Sequence, residues 1–161
     1  MANTYTQLYI QIVFAPKYRQ NLIREEIREE LQKYITGIVQ NRKNKMLAIY
    51  CMPDHVHILV GLNPDVSISS LARDIKANSS KFINENKLIK GKFSWQEGFG
   101  AFSYSKSAYP AVINYINNQP EHHRIKTFKE EYLALLAEFD IDYYEKYLFD
   151  WNQQEQDVQQ L

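Results

Sequence analysis

The sequence predicts an α+β fold: a ferredoxin-like split βαβ sandwich, with an antiparallel sheet, helices on one face and further helices at the C-terminus. Three observations carry this expectation. Apolar patterning changes period in the order strand, helix, strand, strand, helix, strand, and only then stays helical. Only the turn Met52-Pro53-Asp54 separates the second strand from the third. At 161 residues the chain can bury a single-domain core without disulfides or metal staples. In this topology the first and third strands are central neighbours.

The elements follow in order. Thr4 to Phe14 carries aromatic and β-branched residues with partial alternation and is expected to be a strand, ended by Ala15-Pro16. Asn21 is placed to cap a helix in which Ile23, Ile27, Leu31, Tyr34, Ile35 and Ile38 recur at helical spacing to about Asn41. The basic loop Arg42-Lys43-Asn44-Lys45 leads to strands at Met46–Cys51 and His55–Leu62. Ser67 caps a second helix, to about Asn84, with Ile68, Leu71, Ile75, Ser79 and Phe82 on its inner stripe. A fourth strand is expected over Phe102–Ser105, and Pro110 opens a helix that covers Ala111–Gln119. Thr127 and Glu130 form a capping box before Phe128, Tyr132, Leu135, Leu136 and Phe139. The Gln-rich stretch 153–161 is expected to fray.

Composition excludes some functions and conceals others. The chain is 45% hydrophobic, with 19 Lys/Arg against 19 Asp/Glu. That balance argues at first against a nucleic-acid partner. The charge is unevenly distributed, however: residues 1–126 hold 17 basic and 10 acidic side chains, residues 127–161 hold 2 and 9. A basic body thus carries an acidic tail. Removing the tail beyond about Glu138 is expected to leave a strongly basic protein that binds anionic partners less selectively. Cys51 is the only cysteine, so neither an intrachain disulfide nor a Cys-based zinc site forms within one chain. No apolar run approaches the about 20 residues of a membrane span, and the N-terminus lacks signal-peptide regions, so a cytoplasmic location is expected.

Two constellations carry chemistry. In His55-Val56-His57 the two imidazoles share one strand face, at a spacing that lets both bind one divalent metal, while Val56 points into the apolar layer. Hydrogen-bonded histidines on a strand face fit the pattern equally. Asp54 is a further ligand, a partner that orients a histidine, or a cap of local backbone. In Tyr115-Ile116-Asn117-Asn118-Gln119, Tyr115 and Gln119 stand one helical turn apart. A tyrosine oxygen serves as a covalent nucleophile where a metal stabilises charge on the group attacked, and a carboxamide oxygen suits a hard cation. An ordinary core tyrosine, one of 12 in the chain, fits as well.

Taken together, MPDHVHILVG and YINNQ resemble the paired signatures of the single-tyrosine HUH transposases of small insertion sequences, the 200/605 family, and of REP-associated tyrosine transposases. The motif order, the 58 residues from His57 to Tyr115, Lys17-Tyr18-Arg19 and Trp95-Gln96 all agree, and the resemblance covers about residues 4–125. It implies a catalytic domain over 1–126; the acidic helical extension over 127–152 and the disordered tail over 153–161 are read from composition and are not part of the common motif set. It implies an enzyme, a transposase and metal-dependent endonuclease, that cleaves and rejoins single-stranded DNA at hairpin-bearing element ends. Tyr115 would be the nucleophile of a 5′-phosphotyrosine intermediate, and His55, His57 and Gln119 the ligands of one Mg²⁺ or Mn²⁺. A homodimer is implied, with active sites that can be composite between subunits. Pro120 departs from this pattern by placing Gln119 on the last turn, which leaves His122 or His123 as competing third ligands; a solvated or DNA-facing histidine pair is preferred for them. Phosphate contacts are expected from Lys17, Arg19, Arg42, Lys43, Lys45, Arg73, Lys76 and Lys81. Phe99, Phe102 and Tyr104 are candidates to stack on bases, or to pack in the core. The alternatives are a domesticated REP-type or replication or mobilisation HUH nuclease, and a catalytically silent nucleic-acid-binding module.

Overall fold

A computed structural model describes residues 3–17 and 21–151. The elements are β1 (Tyr9–Phe14), α1 (Glu25–Asn41), β2 (Lys45–Met52), β3 (His55–Gly61), α2 (Ile68–Glu85), β4 (Gly100–Tyr104), α3 (Tyr109–Asn117), α4 (Gln119–His122) and α5 (Phe128–Glu138). The sheet order is β2-β3-β1-β4, with every neighbouring pair antiparallel. The fold class and the central β1–β3 pair are those the sequence predicts. Among the described residues no helix is long and apolar enough to cross a membrane.

Local chemistry accounts for most boundaries. Ser67 Oγ accepts from Ser70 N at 3.1 Å and caps α2, and Thr127 Oγ1 accepts from Glu130 N at 3.2 Å and caps α5. Asn21 does not cap α1, which begins after Arg24 without a side-chain cap. The reason is tertiary: Ile23 is fully buried and its N–H bonds to the Pro53 carbonyl at 3.1 Å, so the chain stays extended until the β2–β3 turn is covered. The tyrosine helix is also shorter than expected. It ends at Asn117, and the chain restarts as α4 with Pro120 in its first turn, where the missing N–H costs nothing.

Strand alternation sorts the core into two layers. Ile10, Ile12 and Phe14 of β1 and Val56, Ile58 and Val60 of β3 face α1 and α2, where they meet Leu31, Ile35, Val39, Leu71, Ile75 and Ile83. The opposite face of the sheet is covered by the C-terminal helices. Leu59 and Ala48 pack on Val112 and Ile116 of α3, and Val13 and Phe102 pack on α5 through Phe128, Tyr132, Leu135 and Leu136. Phe149 and Trp151 close this second cluster. Gln96 fastens the end of the described chain: its Nε2 donates to the carbonyls of Pro16 and Asp150, and its Oε1 accepts from Asp150 N at 2.6 Å.

Two glycines test this packing in opposite directions. A Cβ on Gly100 would lie 2.6 Å from the Tyr132 hydroxyl, so β4 and α5 meet at a position only glycine fits. Gly100→Ala is expected to cost about 1–3 kcal/mol in urea denaturation. Gly37 lies inside α1, and a Cβ there would meet nothing within 4 Å. Gly37→Ala should therefore stabilise by about 0.5–1 kcal/mol in the same measurement.

Candidate active site

The site forms on the sheet face that β3 turns toward α3, α4 and α5. His55, His57 and Leu59 point to this face, and Val56 lies in the opposite apolar layer, as its position in the strand requires. Both histidines are fully buried, with ring centroids 5.1 Å apart and planes at 82°. His55 also stacks flat on Phe128 of α5, at 4.1 Å between centroids.

The outer nitrogens fix how the rings are presented. His55 Nδ1 lies 2.7 Å from Asp54 Oδ1, and His57 Nδ1 lies 2.8 Å from Gln11 Oε1. These outer contacts fix the ring planes and turn each Nε2 toward the interior. Gln11 is oriented in turn by donating Nε2 to the Tyr104 hydroxyl at 2.7 Å.

The inner nitrogens meet groups from the C-terminal helices. His55 Nε2 lies 3.0 Å from Gln119 Oε1, and His57 Nε2 lies 2.8 Å from Glu131 Oε1. Glu131 Oε1 is also 3.5 Å from His55 Nε2 and 3.2 Å from His123 Nε2. The other oxygen, Oε2, accepts from Gln119 Nε2 at 3.1 Å and from the Tyr115 hydroxyl. The facing donor atoms of His55, His57 and Glu131 all lie within 4.8 Å of one another. Beside Tyr115 and Glu131 opens a cavity of about 430 Å³, lined also by Gln11, Tyr104, Lys126 and Glu138.

Electrostatics follow from burial and from this convergence. Burial pushes the Glu131 carboxyl up, but His57, His123 and His55 outweigh it and hold the group well below the usual carboxylate range. Burial, helped by the neighbouring His55 and His123, sets His57 below its ordinary value against the pull of Glu131. For His55 the adjacent Asp54 overcomes burial and the net shift is upward. Burial, then the Glu131 charge, pushes the Tyr115 hydroxyl far up.

The structure thus brings His55, His57, Tyr115 and Gln119 together within one chain, despite the helix break at Asn118. Expectations for the second histidine pair change. His123 is not solvated: it is packed between His55, Gln119 and Glu131. His122 stacks on the Tyr115 ring at 4.3 Å. Phe102 is interior, under α5, and presents no stacking face, whereas Tyr104 is half-buried and lines the cavity, its hydroxyl accepting from Gln11 and its ring edge-on to Phe139. Of the basic candidates, Arg42 pairs with Asp74 at 2.8 Å, Lys81 with Glu85 at 3.9 Å, and Lys76 donates to the Gln96 and Gly98 carbonyls. Burial lowers Lys76 to about 8. Lys17, Lys43, Lys45 and Arg73 have exposed side chains, and Arg19 lies outside the described residues.

The family model for IS200-like transposases matches residues 4–119. The chain belongs to that family. The matched segment holds His55, His57, Tyr115 and Gln119, and it stops before α5. The transposase for insertion sequence element IS200 of Salmonella typhimurium is 27% identical over 130 residues, covering 78% of this chain and 85% of the relative. The ISDra2 transposase TnpA of Deinococcus radiodurans is 23% identical over 118 residues, covering 70% and 84%. Two solved structures share the fold. A putative transposase from Deinococcus radiodurans superposes with TM-score 0.60 at 22% identity, over 74% of this chain and 95% of that one. A REP-associated tyrosine transposase bound to a REP hairpin superposes with TM-score 0.55 at 19% identity, over 76% and 73%.

Sequence reasoning missed two residues of the site, and each left a local signal. Gln11 is a polar side chain in the middle of an apolar central strand, between Ile10 and Ile12. Glu131 shares the inward stripe of α5 with Phe128, Tyr132 and Leu135, where an acid has no place unless it meets a cationic or polar partner.

Proposed function

We propose that this IS200-like transposase cleaves and rejoins single-stranded DNA at insertion-sequence ends through a 5′-phosphotyrosine on Tyr115. The observation that carries the proposal is the convergence of the Tyr115 hydroxyl, two buried imidazole Nε2 atoms and the Gln119 carboxamide on one small volume beside an open cavity. The donor set fits a divalent cation, Mg²⁺ or Mn²⁺: Asp54 and Gln11 hold His55 and His57 with Nε2 turned inward, and Gln119 offers an oxygen. When bound there, the cation would supply Lewis-acid polarisation of the scissile phosphate.

The chain's own residues do the rest. Tyr115 is fixed by Glu131 Oε2 and by the His122 ring, which limits the directions from which its oxygen meets phosphorus. In cleavage the Tyr115 oxygen bonds to phosphorus, the bond from phosphorus to the 3′ oxygen breaks, and the phenolic proton is balanced by protonation of the departing 3′ oxygen. Attack by a DNA 3′-hydroxyl reverses these steps and returns the proton to Tyr115, so joining needs no nucleotide cofactor. Residues 1–126 form the catalytic part in this proposal, and 127–152 extend it. The chain brings its own Tyr115 and Gln119 to its own histidines, which supports action in cis; homodimerisation, with sites composite between subunits, is the alternative arrangement, read by sedimentation. Lys43, Lys45 and Arg73 are the exposed cations proposed to meet phosphates. The hairpin named for the REP-associated structural relative makes a folded single strand the substrate to try first.

The test is covalent capture. Single-stranded DNA carrying an element end, incubated with protein and Mn²⁺ or Mg²⁺, should give an adduct that survives denaturation. Tyr115→Phe should give none while keeping its fold, and chelation of the metal should reduce the adduct to background. An adduct formed equally by Tyr115→Phe would sink the assignment.

A further inference from the structure

We propose that Glu131, delivered by α5 from outside the family-matched segment, is a fourth, anionic ligand of the cation. This inference rests on the cation site proposed above and deepens it. Three observations carry it. First, Glu131 Oε1 lies 2.8 and 3.5 Å from the two histidine Nε2 atoms, and Gln119 Oε1 lies 3.0 Å from one of them. Donors about 2.1 Å from a divalent cation sit about 3.0 Å apart at neighbouring octahedral vertices and about 3.4 Å apart in a tetrahedron. The separations are those of donors sharing one ion.

Second, each histidine meets an oxygen at both ring nitrogens: Asp54 or Gln11 at Nδ1, and Gln119 or Glu131 at Nε2. A neutral imidazole has one hydrogen to give, so one side of each ring faces an oxygen with no hydrogen between them, and a cation on the Nε2 side resolves this for both rings at once. Third, Glu131 is only 4% exposed and faces the imidazoles of His57, His123 and His55. A buried carboxylate is costly without a compensating charge, which those rings supply only when protonated and a divalent ion supplies with the rings neutral. The His55, His57 and Gln119 set is neutral, so a divalent ion would leave two uncompensated charges in a buried site; Glu131 halves that excess. Its two oxygens divide the work, Oε1 toward the ion and Oε2 toward Tyr115 and Gln119.

The experiment measures metal binding with no DNA present. The full chain, freed of metal, is titrated with Mn²⁺ and the free aqua ion is read by electron paramagnetic resonance. Wild type should bind one Mn²⁺ per chain. Glu131→Gln keeps the shape and removes the charge, and should weaken binding by about 10–100-fold or more. Glu130→Gln, at the exposed neighbour in the same turn, should bind like wild type. Glu131→Asp, which keeps the charge but withdraws the oxygens by one methylene, replaces Glu131→Gln if that variant does not fold, and should also bind more weakly. Unchanged Mn²⁺ affinity in the folded Glu131 variant overturns this inference and leaves the cation site standing. Absence of Mn²⁺ binding by wild type overturns both.

Discussion

Ending the chain at Glu138 is expected to abolish its cooperative unfolding transition. The cut removes Phe149 and Trp151, which are 7% and 6% exposed and pack on Phe128 and Tyr132. Losing a buried aromatic costs about 3–5 kcal/mol. The cut also strips Gln96 of its two bonds to Asp150, leaving a buried carboxamide half-satisfied, and removes Phe139 from Phe102 and Tyr104. Against a total stability of about 5–15 kcal/mol, the two aromatics alone account for most of the margin. Thermal denaturation followed by far-ultraviolet circular dichroism should show a broad, early transition, with dye binding to the exposed cluster. A truncated chain that melts sharply within a few degrees of the full one would contradict this. The truncation suggested by the charge split therefore reports on folding before it reports on DNA selectivity. The acidic tail is docked through apolar side chains, and its charge is only part of what it contributes.

His57→Ala is expected to be the most damaging substitution within the site. It should cost about 3–5 kcal/mol in metal-free protein, because it breaks a buried ionic and hydrogen-bonded set by removing one member. His57 is fully buried between Gln11 and Glu131, so its loss removes the shortest of the three histidine contacts to Glu131 Oε1 and strands the Gln11 carbonyl. His57→Gln, which restores a polar side chain of related reach, should recover part of the loss. Urea denaturation of the three proteins without metal checks this, and a deficit under about 1 kcal/mol for His57→Ala would show the cluster to be loosely coupled. With Mn²⁺ at 100 times its Kd the gap should widen by about 2.7 kcal/mol, since only the wild type gains the binding free energy. Loss of cleavage in His57→Ala is therefore interpretable only beside its stability, whereas Tyr115→Phe removes one hydroxyl from the edge of the same cluster.

Much of this was legible locally. Period-2 alternation put His55 and His57 on one face and Val56 on the other, and the capping residues Ser67 and Thr127 marked true helix starts. Where local signals failed, long-range contacts had overridden them. Asn21 lost its capping role to the bond between Ile23 and Pro53 across the hairpin. His122 and His123, expected at the surface, were drawn inward because α4 sets His123 against His55 and Glu131 and His122 against the Tyr115 ring.

By itself the sequence determined the order of strands and helices along the chain, the two motifs and the family to which they belong, because each is written in residue types at short, fixed spacing. Only the tertiary structure decided what completes the site. Gln11 reaches His57 across 46 residues of chain and Glu131 reaches it across 74, from an element the family pattern does not include. No periodicity encodes such a meeting. It arises because the apolar stripe of α5 must be buried against Val13 and Phe102, and burying it carries Glu131 down onto the two imidazoles.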